Sequence, residues 1–161
     1  MADLLTHVLV AYILATLCSF RYDWITPRMV TIAMMGALIP DMSRLSLLID
    51  GERVSELLGI PFTWFGFHTV GGAFLAIFVG VVLARHEYRK RVFLLLTLGV
   101  VSHLLLDAFL YKPSGVTAPM FWPFLTNGQP IPGLYLSTDR WPAIVSVIGA
   151  AGTWYVRYRL R

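Results

Sequence analysis

The chain has 161 residues, of which 57% are hydrophobic and only 14% are charged. Soluble domains carry about a quarter charged residues, so this composition excludes an ordinary water-soluble globule. The net charge of +4 is typical of the basic cytoplasmic loops of membrane proteins, and we expect no nucleic-acid partner.

Five apolar segments are long enough to be predicted as membrane-spanning helices. An α-helix rises ~1.5 Å per residue, so it needs about 20 residues to cross ~30 Å of hydrocarbon. The predicted spans are residues 4–20, 28–49, 62–84, 92–111 and 142–158. The predicted fold class is therefore all-α: an integral membrane bundle of about five transmembrane helices, in one domain over residues 1–161.

The distribution of lysine and arginine predicts the orientation of this bundle. Cytoplasmic loops hold the excess of these residues in membrane proteins. If the helices alternate, one side receives Arg21, Arg28, Arg85, Arg89, Lys90, Arg91, Arg157, Arg159 and Arg161. The other side, or a helix near it, receives only Arg44, Arg53, Lys112 and Arg140. We expect a multi-pass protein of the cell membrane with its amino terminus outside and its carboxyl terminus in the cytoplasm.

Both loops on the predicted external side carry structural signals. Residues 112–141 are too long and too rich in proline and aromatic residues for a passive connection. We expect this loop to lie over the outer face as a lid or lipid-facing wall, with Trp122 in contact with substrate. In residues 50–61, Val54, Leu57 and Leu58 have helical spacing, which predicts a short interfacial helix.

Five ionisable residues lie inside the predicted spans, where each costs about 2.5–3.5 kcal/mol to insert. They are His7, Asp41, His68, His103 and Asp107. His103 and Asp107 are four positions apart and so share one helix face. In the predicted topology all five fall at the external helix ends, roughly 6–14 Å deep. This common depth on four helices predicts a single site.

Imidazole and carboxylate groups are ligands for zinc, and also for manganese or iron. A catalytic zinc keeps three protein ligands and one open position, so five candidates exceed one such site. Two metals bridged by an aspartate, or one metal with the remaining residues orienting ligands or acting as a base, both fit the sequence. Pro40 is expected to bend the second helix toward the site, and Arg44 to bind an anionic group such as phosphate.

Each of these residues alone also has a packing interpretation. His103 and Asp107 can form a buried polar pair that joins two helices. Arg44 can be a snorkelling or salt-bridging side chain. The metal hypothesis therefore depends on the five residues taken together.

Several short motifs make the chain resemble a known family. They are TH at 6–7, GALIPD at 36–41, HT at 68–69, SHLLLD at 102–107 and FWPF at 121–124. In order and spacing they are similar to the membrane-bound metal-dependent hydrolases typified by YdjM, also called LexA-binding, inner membrane-associated hydrolases. That family is thought to be distantly similar to zinc-dependent phospholipase C, an all-helical fold with a histidine and aspartate metal site.

The resemblance implies that all five buried residues are metal ligands. It also has two departures. Ser43 stands where the family usually has a second acid, and Thr63-Trp64 stands where it has a histidine-arginine pair. The full ligand set of a multinuclear phospholipase is therefore not available, which leaves a smaller site or a degenerate site without activity.

The leading functional hypothesis is a metal-dependent hydrolase that acts on phosphodiester or ester bonds of lipids or lipid-linked substrates at the outer leaflet. Asp41 or Asp107 is expected to orient or deprotonate the attacking water. The alternatives are a metal-ion or proton transporter, for which five helices are few unless the protein forms a homo-oligomer, and a non-catalytic scaffold or regulator. Membrane lipids are the expected partners in the first case.

Overall fold

The computed structural model describes residues 3–130 and 133–160, and Arg161 lies outside this part of the chain. The described residues form helices joined by irregular segments, which confirms the all-α class. The α-helices are α1 (Leu4–Ser19), α2 (Pro27–Leu38), α3 (Gly51–Leu58), α4 (Val70–Leu83), α5 (Arg89–Ala108) and α6 (Trp141–Leu160). Shorter 3-10 helices span Pro40–Leu47, Trp64–His68 and His86–Tyr88.

The centre of the bundle is the crossing of α2 and α5, where two glycines let the backbones touch. A Cβ on Gly99 would lie 2.1 Å from Ala33 O, and one on Gly36 would lie 2.4 Å from Leu96 O. Small residues at such crossings are what allow helices in membranes to approach closely. Around this pair, α1 packs on α2, α5 and α6, while α4 packs on α5.

Burial in this bundle is inverted with respect to a soluble protein. Many large apolar side chains are exposed, such as Leu75 at 64% and Leu83 at 81% on α4. The buried set instead includes polar and ionisable groups, His7 and His103 among them at 0% exposure. An apolar exterior of this extent exceeds what monomeric soluble proteins show, whereas lipid tails cover such a surface without cost.

Helix length and composition identify fewer clear spans than the sequence predicted. Within the described residues, His86–Ala108 is the one helix long and apolar enough to cross a bilayer. The pair Pro27–Leu38 and Pro40–Leu47, bent by 53°, gives a second if it acts as one span. The apolar helices α1 and α4 have 16 and 14 residues. The five-span arrangement and its orientation therefore stay predictions.

Two of the predicted spans are interrupted, and both breaks have a local cause. Pro40 cannot donate a backbone hydrogen bond, and α2 ends two residues before it and continues as a bent 3-10 helix. The predicted span 62–84 is not continuous, because Thr69 is extended and caps α4: its hydroxyl accepts the Gly72 N–H at 3.1 Å. The short helix predicted in residues 50–61 is confirmed by α3.

The long loop between α5 and α6 is irregular throughout its described part and is fastened to α4. The first N–H groups of a helix lack partners inside it. Here the N–H groups of Val70 and Gly71 donate to the carbonyls of Met120 and Trp122, at 2.7 and 2.9 Å. The segment around Trp122 is therefore held directly beside the end of the Trp64–His68 helix.

Candidate metal centre

The five ionisable residues singled out in the sequence lie at the same end of the bundle, and all are buried. His7 is in the first turn of α1, and Asp41 follows the break after α2. His68 is the last residue of its 3-10 helix, immediately before the Thr69 cap. His103 and Asp107 lie on the last turns of α5. Both helix breaks thus place a site residue at the point where the backbone changes direction.

Asp107 is the centre of the cluster, because three imidazoles face its carboxylate. The Nε2 atom of His68 lies 3.1 Å from Oδ2, and that of His103 lies 3.7 Å from Oδ2. The Nε2 atom of His7 lies 3.4 Å from Oδ1. Each carboxylate oxygen therefore faces at least one imidazole nitrogen.

One nitrogen of the His103 ring has a fixed hydrogen-bond role. His103 Nδ1 lies 2.7 Å from the carbonyl oxygen of Ala37. A carbonyl can only accept a hydrogen bond, so Nδ1 carries a proton and Nε2 is the nitrogen that faces Asp107. Ala37 is in the last turn of α2, where carbonyls lack helical partners, and the Gly36–Gly99 contact brings it within reach. A fixed Nδ1–H donor is the usual support of a metal-binding histidine.

His68 has a different role from that of His103. Its Nε2 is 3.1 Å from Asp107, whereas its Nδ1 is 3.4 Å from the carbonyl oxygen of Pro40. The contact with the carboxylate is the shorter, and an ionised carboxylate only accepts, so Nε2 is the nitrogen that donates to Asp107. His68 then orients the Asp107 carboxylate, as hydrogen bonds do for ligating carboxylates in metal sites.

His7 is fully buried, and neither of its ring nitrogens has a hydrogen-bond partner among the described residues. Its ring stacks on that of His103, with centroids 3.7 Å apart and planes 14° from parallel. His103 Nε2 also lacks a hydrogen-bond partner in this part of the chain. Buried polar atoms without partners are rare in folded proteins and call for a ligand, a water or an ion.

His7, His103 and Asp107 each offer one ligand atom, and these atoms lie within 4.8 Å of one another. Two donors each ~2.1 Å from one zinc ion are ~3.4 Å apart at the tetrahedral angle. The distances from the Asp107 oxygens to His7 and His103, 3.4 and 3.7 Å, are close to that value. Two imidazoles and one carboxylate at this spacing can hold a divalent metal ion.

Asp41 is placed beside this group by its ion pair with Arg44. Asp41 Oδ1 lies 2.7 Å from Arg44 Nε, while Asp41 Oδ2 has no hydrogen-bond partner among the described residues. The carboxylate is close enough to His7 for the two side chains to interact electrostatically. The Arg44 side chain is 39% exposed and lines an open cavity with Ser43, Thr63 and Trp64. Arg44 therefore joins the buried cluster to the outside.

Trp122, predicted to contact substrate, lies beside the site and does not enter the cluster. Its backbone carbonyl is held by the start of α4, and its ring covers Gly71, where an added Cβ would lie 2.9 Å from the ring. Half of the side chain is exposed. The ring therefore forms part of the wall next to His68.

The sequence did not indicate three of the groups that support the cluster. The carbonyls of Ala37 and Pro40 face the histidine rings. The proline at position 40 is the only feature of the sequence that indicates them. The third group is Tyr135 in the loop before α6, whose hydroxyl donates to Leu106 O at 2.6 Å. Burial first, and then the negative charge of Asp107, raises the pKa of Tyr135 to about 12. Tyr135 therefore stays a neutral hydrogen-bond donor at physiological pH.

The inverted burial, the helical fold and the buried polar cluster together define a class of small helical membrane proteins with an internal polar centre. The chain belongs to the YdjM inner membrane protein family, whose model matches residues 1–160. This confirms the family and the inner membrane location expected from the sequence. Neither a curated protein nor a solved structure matches the chain.

Proposed function

We propose that the protein is a membrane-embedded, metal-dependent hydrolase that cleaves a phosphodiester or ester bond of a lipid or lipid-linked substrate. One observation carries the proposal: two buried imidazoles, His7 and His103, direct nitrogen atoms without hydrogen-bond partners toward the Asp107 carboxylate. A polar pair that only joins two helices needs one imidazole and one carboxylate, so it does not explain the second and third imidazoles around Asp107. A divalent cation would give the Nε2 atoms of both rings and the Asp107 carboxylate a common partner.

Zinc is the proposed metal, and manganese or iron are the alternatives for a site of nitrogen and oxygen donors. His7, His103 and Asp107 give three ligands, which is the number that leaves a catalytic zinc one open position. A metal bound there supplies Lewis acidity, which lowers the pKa of a bound water and polarises a carbonyl or phosphoryl oxygen. His68 would keep the Asp107 carboxylate in place through their hydrogen bond.

Asp41 is the proposed general base. It is buried at the site, its Oδ2 atom has no hydrogen-bond partner in the described part of the chain, and Arg44 fixes its other oxygen. In this role Asp41 accepts a proton from the attacking water. The exposed part of the Arg44 guanidinium is suited to an anionic group of the substrate, because guanidinium groups pair with phosphate oxygens.

A lipid substrate is supported by an apolar groove on the surface between α2 and α4. A cavity of about 560 Å³ is lined by Ile39, Gly66 and Ala76, among other residues. A neighbouring cavity of about 400 Å³ shares Ile39 and Ala76 with it. Ile39 precedes Pro40, and Gly66 lies two residues before His68, so the groove borders the site. An acyl chain in the groove would place a lipid head group near Asp41.

An outward-facing site is supported by the distribution of charge along the bundle. The end opposite the cluster carries the Arg85–Arg91 basic loop and the basic carboxyl-terminal turn of α6. The positive-inside rule places that end in the cytoplasm, and the cluster then faces the outer leaflet. In this arrangement the five proposed spans are α1, the bent pair Pro27–Leu38 and Pro40–Leu47, α4, α5 and α6.

The proposal is tested with purified protein in mixed lipid micelles, with release of water-soluble head groups and of fatty acids as two separate readouts. We expect metal-dependent release that is abolished by a chelator, restored by zinc, and reduced more than ~100-fold in Asp41→Asn. Asp23→Asn is the matched control, because Asp23 is exposed in the turn between α1 and α2, at the end of the bundle opposite the cluster. Equal rates in wild-type protein and Asp41→Asn would contradict the proposal.

A further inference from the structure

The basic end of the bundle contains a second groove, distinct from the metal centre. It lies between α1, the turn before α2 and the first half of α5, with a volume of about 520 Å³. Lys90 and Arg91 stand at one end of it, and Leu94, Leu95 and Leu98 continue along the same helix. Since α5 rises ~1.5 Å per residue, Leu98 is ~12 Å beyond Lys90. The groove therefore has a cationic end, formed by Lys90 and Arg91, and an apolar bed, formed by Leu94, Leu95 and Leu98.

The cationic end is available for a ligand. Among the described residues, neither Lys90 nor Arg91 forms an ion pair with a carboxylate, and both side chains are exposed. The Arg91 guanidinium lies 5.6 Å from the centre of the Trp24 ring and 5.9 Å from that of Tyr88. These two rings hold the Arg91 guanidinium at the rim of the groove.

The apolar part of the groove has the surroundings of a lipid tail. Leu94 is 46% exposed, and Leu95 is buried beneath it as part of the bundle core. Cys18 on α1 and Trp24 form the opposite wall. A phosphate alone uses only the cationic end, and a neutral lipid uses only the apolar bed. A phospholipid with a net negative head group complements both.

We propose that this groove binds one anionic phospholipid, with its phosphate and head group between Lys90 and Arg91 and one acyl chain along Leu94 and Leu98. The proposal is independent of hydrolysis at the metal centre, since the two sites lie at opposite ends of α5. A bound lipid at this position would hold the start of α5 against the turn between α1 and α2. Binding of such a lipid would also make a membrane rich in anionic lipid the preferred environment of the protein.

The test is native mass spectrometry of the purified full chain with phosphatidylglycerol or phosphatidylcholine of identical acyl chains. A lysine or arginine near an anionic lipid surface contributes about fivefold in affinity, so two contribute about 30-fold. We expect the wild-type chain to prefer phosphatidylglycerol by that factor, and Lys90→Gln/Arg91→Gln to lose the preference. The matched control, Arg85→Gln/Arg159→Gln, removes two exposed charges outside the groove and should keep it.

Two further measurements separate a lipid from other occupants. Leu94→Gln should weaken phosphatidylglycerol binding while the chain stays folded, because it places an amide in the apolar bed. Glycerol phosphate without acyl chains should compete poorly. Equal loss of preference in the control pair, equal binding of both lipids by the wild-type chain, or full competition by glycerol phosphate would each overturn the proposal. So would conversion of an oligomer to monomers by Lys90→Gln/Arg91→Gln, because the groove would then be an interface between copies.

Discussion

The two ends of the bundle differ in the exposure of their charged and polar side chains. At the basic end most arginine and lysine side chains are exposed, and Arg91 lies over the Trp24 ring, while the buried Arg157 donates to the carbonyl of Ile25 at 3.2 Å. At the other end, His7, His103 and Asp107 are buried, with exposed fractions of 0%, 0% and 2%. An exposed cation keeps its hydration, whereas a buried polar atom without a partner costs about 1–3 kcal/mol. Only the end with the buried histidines therefore requires a ligand to explain its composition.

The largest expected difference between the two ends is in metal binding. His103→Ala removes one of three proposed ligands, and we expect zinc affinity to fall by more than ~100-fold, because supporting residues alone are worth 10- to 100-fold. His86→Ala is the matched control, since His86 is exposed in the basic loop. Metal content after dialysis, measured by mass spectrometry, compares the variants. If His103→Ala kept a stoichiometric metal and His86→Ala lost it, the metal would bind at the basic end and the proposed site would be wrong.

The next effect concerns the helix crossing that supports His103. Gly99→Ala forces a Cβ to within 2.1 Å of Ala33 O, and we expect the free energy of unfolding to fall by about 3 kcal/mol. Gly152→Ala on α6 has open space and should be neutral or stabilising, as alanine is the better helix former. Thermal unfolding in detergent measures both. The crossing would not be critical if the two variants unfolded at the same temperature.

A smaller effect is expected at His68, which we assign to orientation of Asp107 rather than to direct ligation. His68→Gln retains a donor of similar reach, whereas His68→Ala removes it. We expect zinc affinity to fall at least about 10-fold in His68→Ala and to be partly restored in His68→Gln. Competition with a chelator of known affinity gives both values. A loss as complete as that in His103→Ala would instead make His68 a ligand.

The smallest expected effect is at Tyr135. Its pKa is raised above the ordinary value of about 10, so the stability contributed by the neutral phenol is complete below pH 10 and is lost as pH rises toward 12. Tyr135→Phe should cost about 1 kcal/mol at neutral pH through the lost hydrogen bond to Leu106. An ultraviolet difference titration against this variant should place the Tyr135 transition near pH 12. A transition near pH 10 would contradict the burial of the hydroxyl next to Asp107.

Much of this arrangement could be predicted from helix periodicity and insertion cost. The four-residue spacing of His103 and Asp107 indicates a shared face, and the two side chains are 3.7 Å apart. Pro40 indicates a bend, and the helix pair there is bent by 53°. These features depend on residues that are close in the sequence, so they can be predicted from the sequence alone.

The remaining features depend on contacts between distant parts of the chain. The break before α4 is held by the distant loop between α5 and α6, whose Met120 and Trp122 carbonyls accept the N–H groups of Val70 and Gly71. The distinct roles of His68 and His103 follow from which carbonyl or carboxylate each ring meets, which hydropathy does not encode. The groove at Lys90 and Arg91 requires α1 and α5 to be neighbours, and no pattern within either helix indicates this.

The most direct test of the metal centre is X-ray absorption spectroscopy of the zinc-loaded, full-length protein. We expect one zinc per chain with nitrogen and oxygen ligands at about 2.0–2.2 Å, including the outer-shell scattering of two imidazole rings. In His7→Ala the imidazole contribution should fall to that of one ring. A chain that binds no stoichiometric zinc, or a spectrum unchanged in both His7→Ala and His103→Ala, would rule out a metal centre formed by His7, His103 and Asp107.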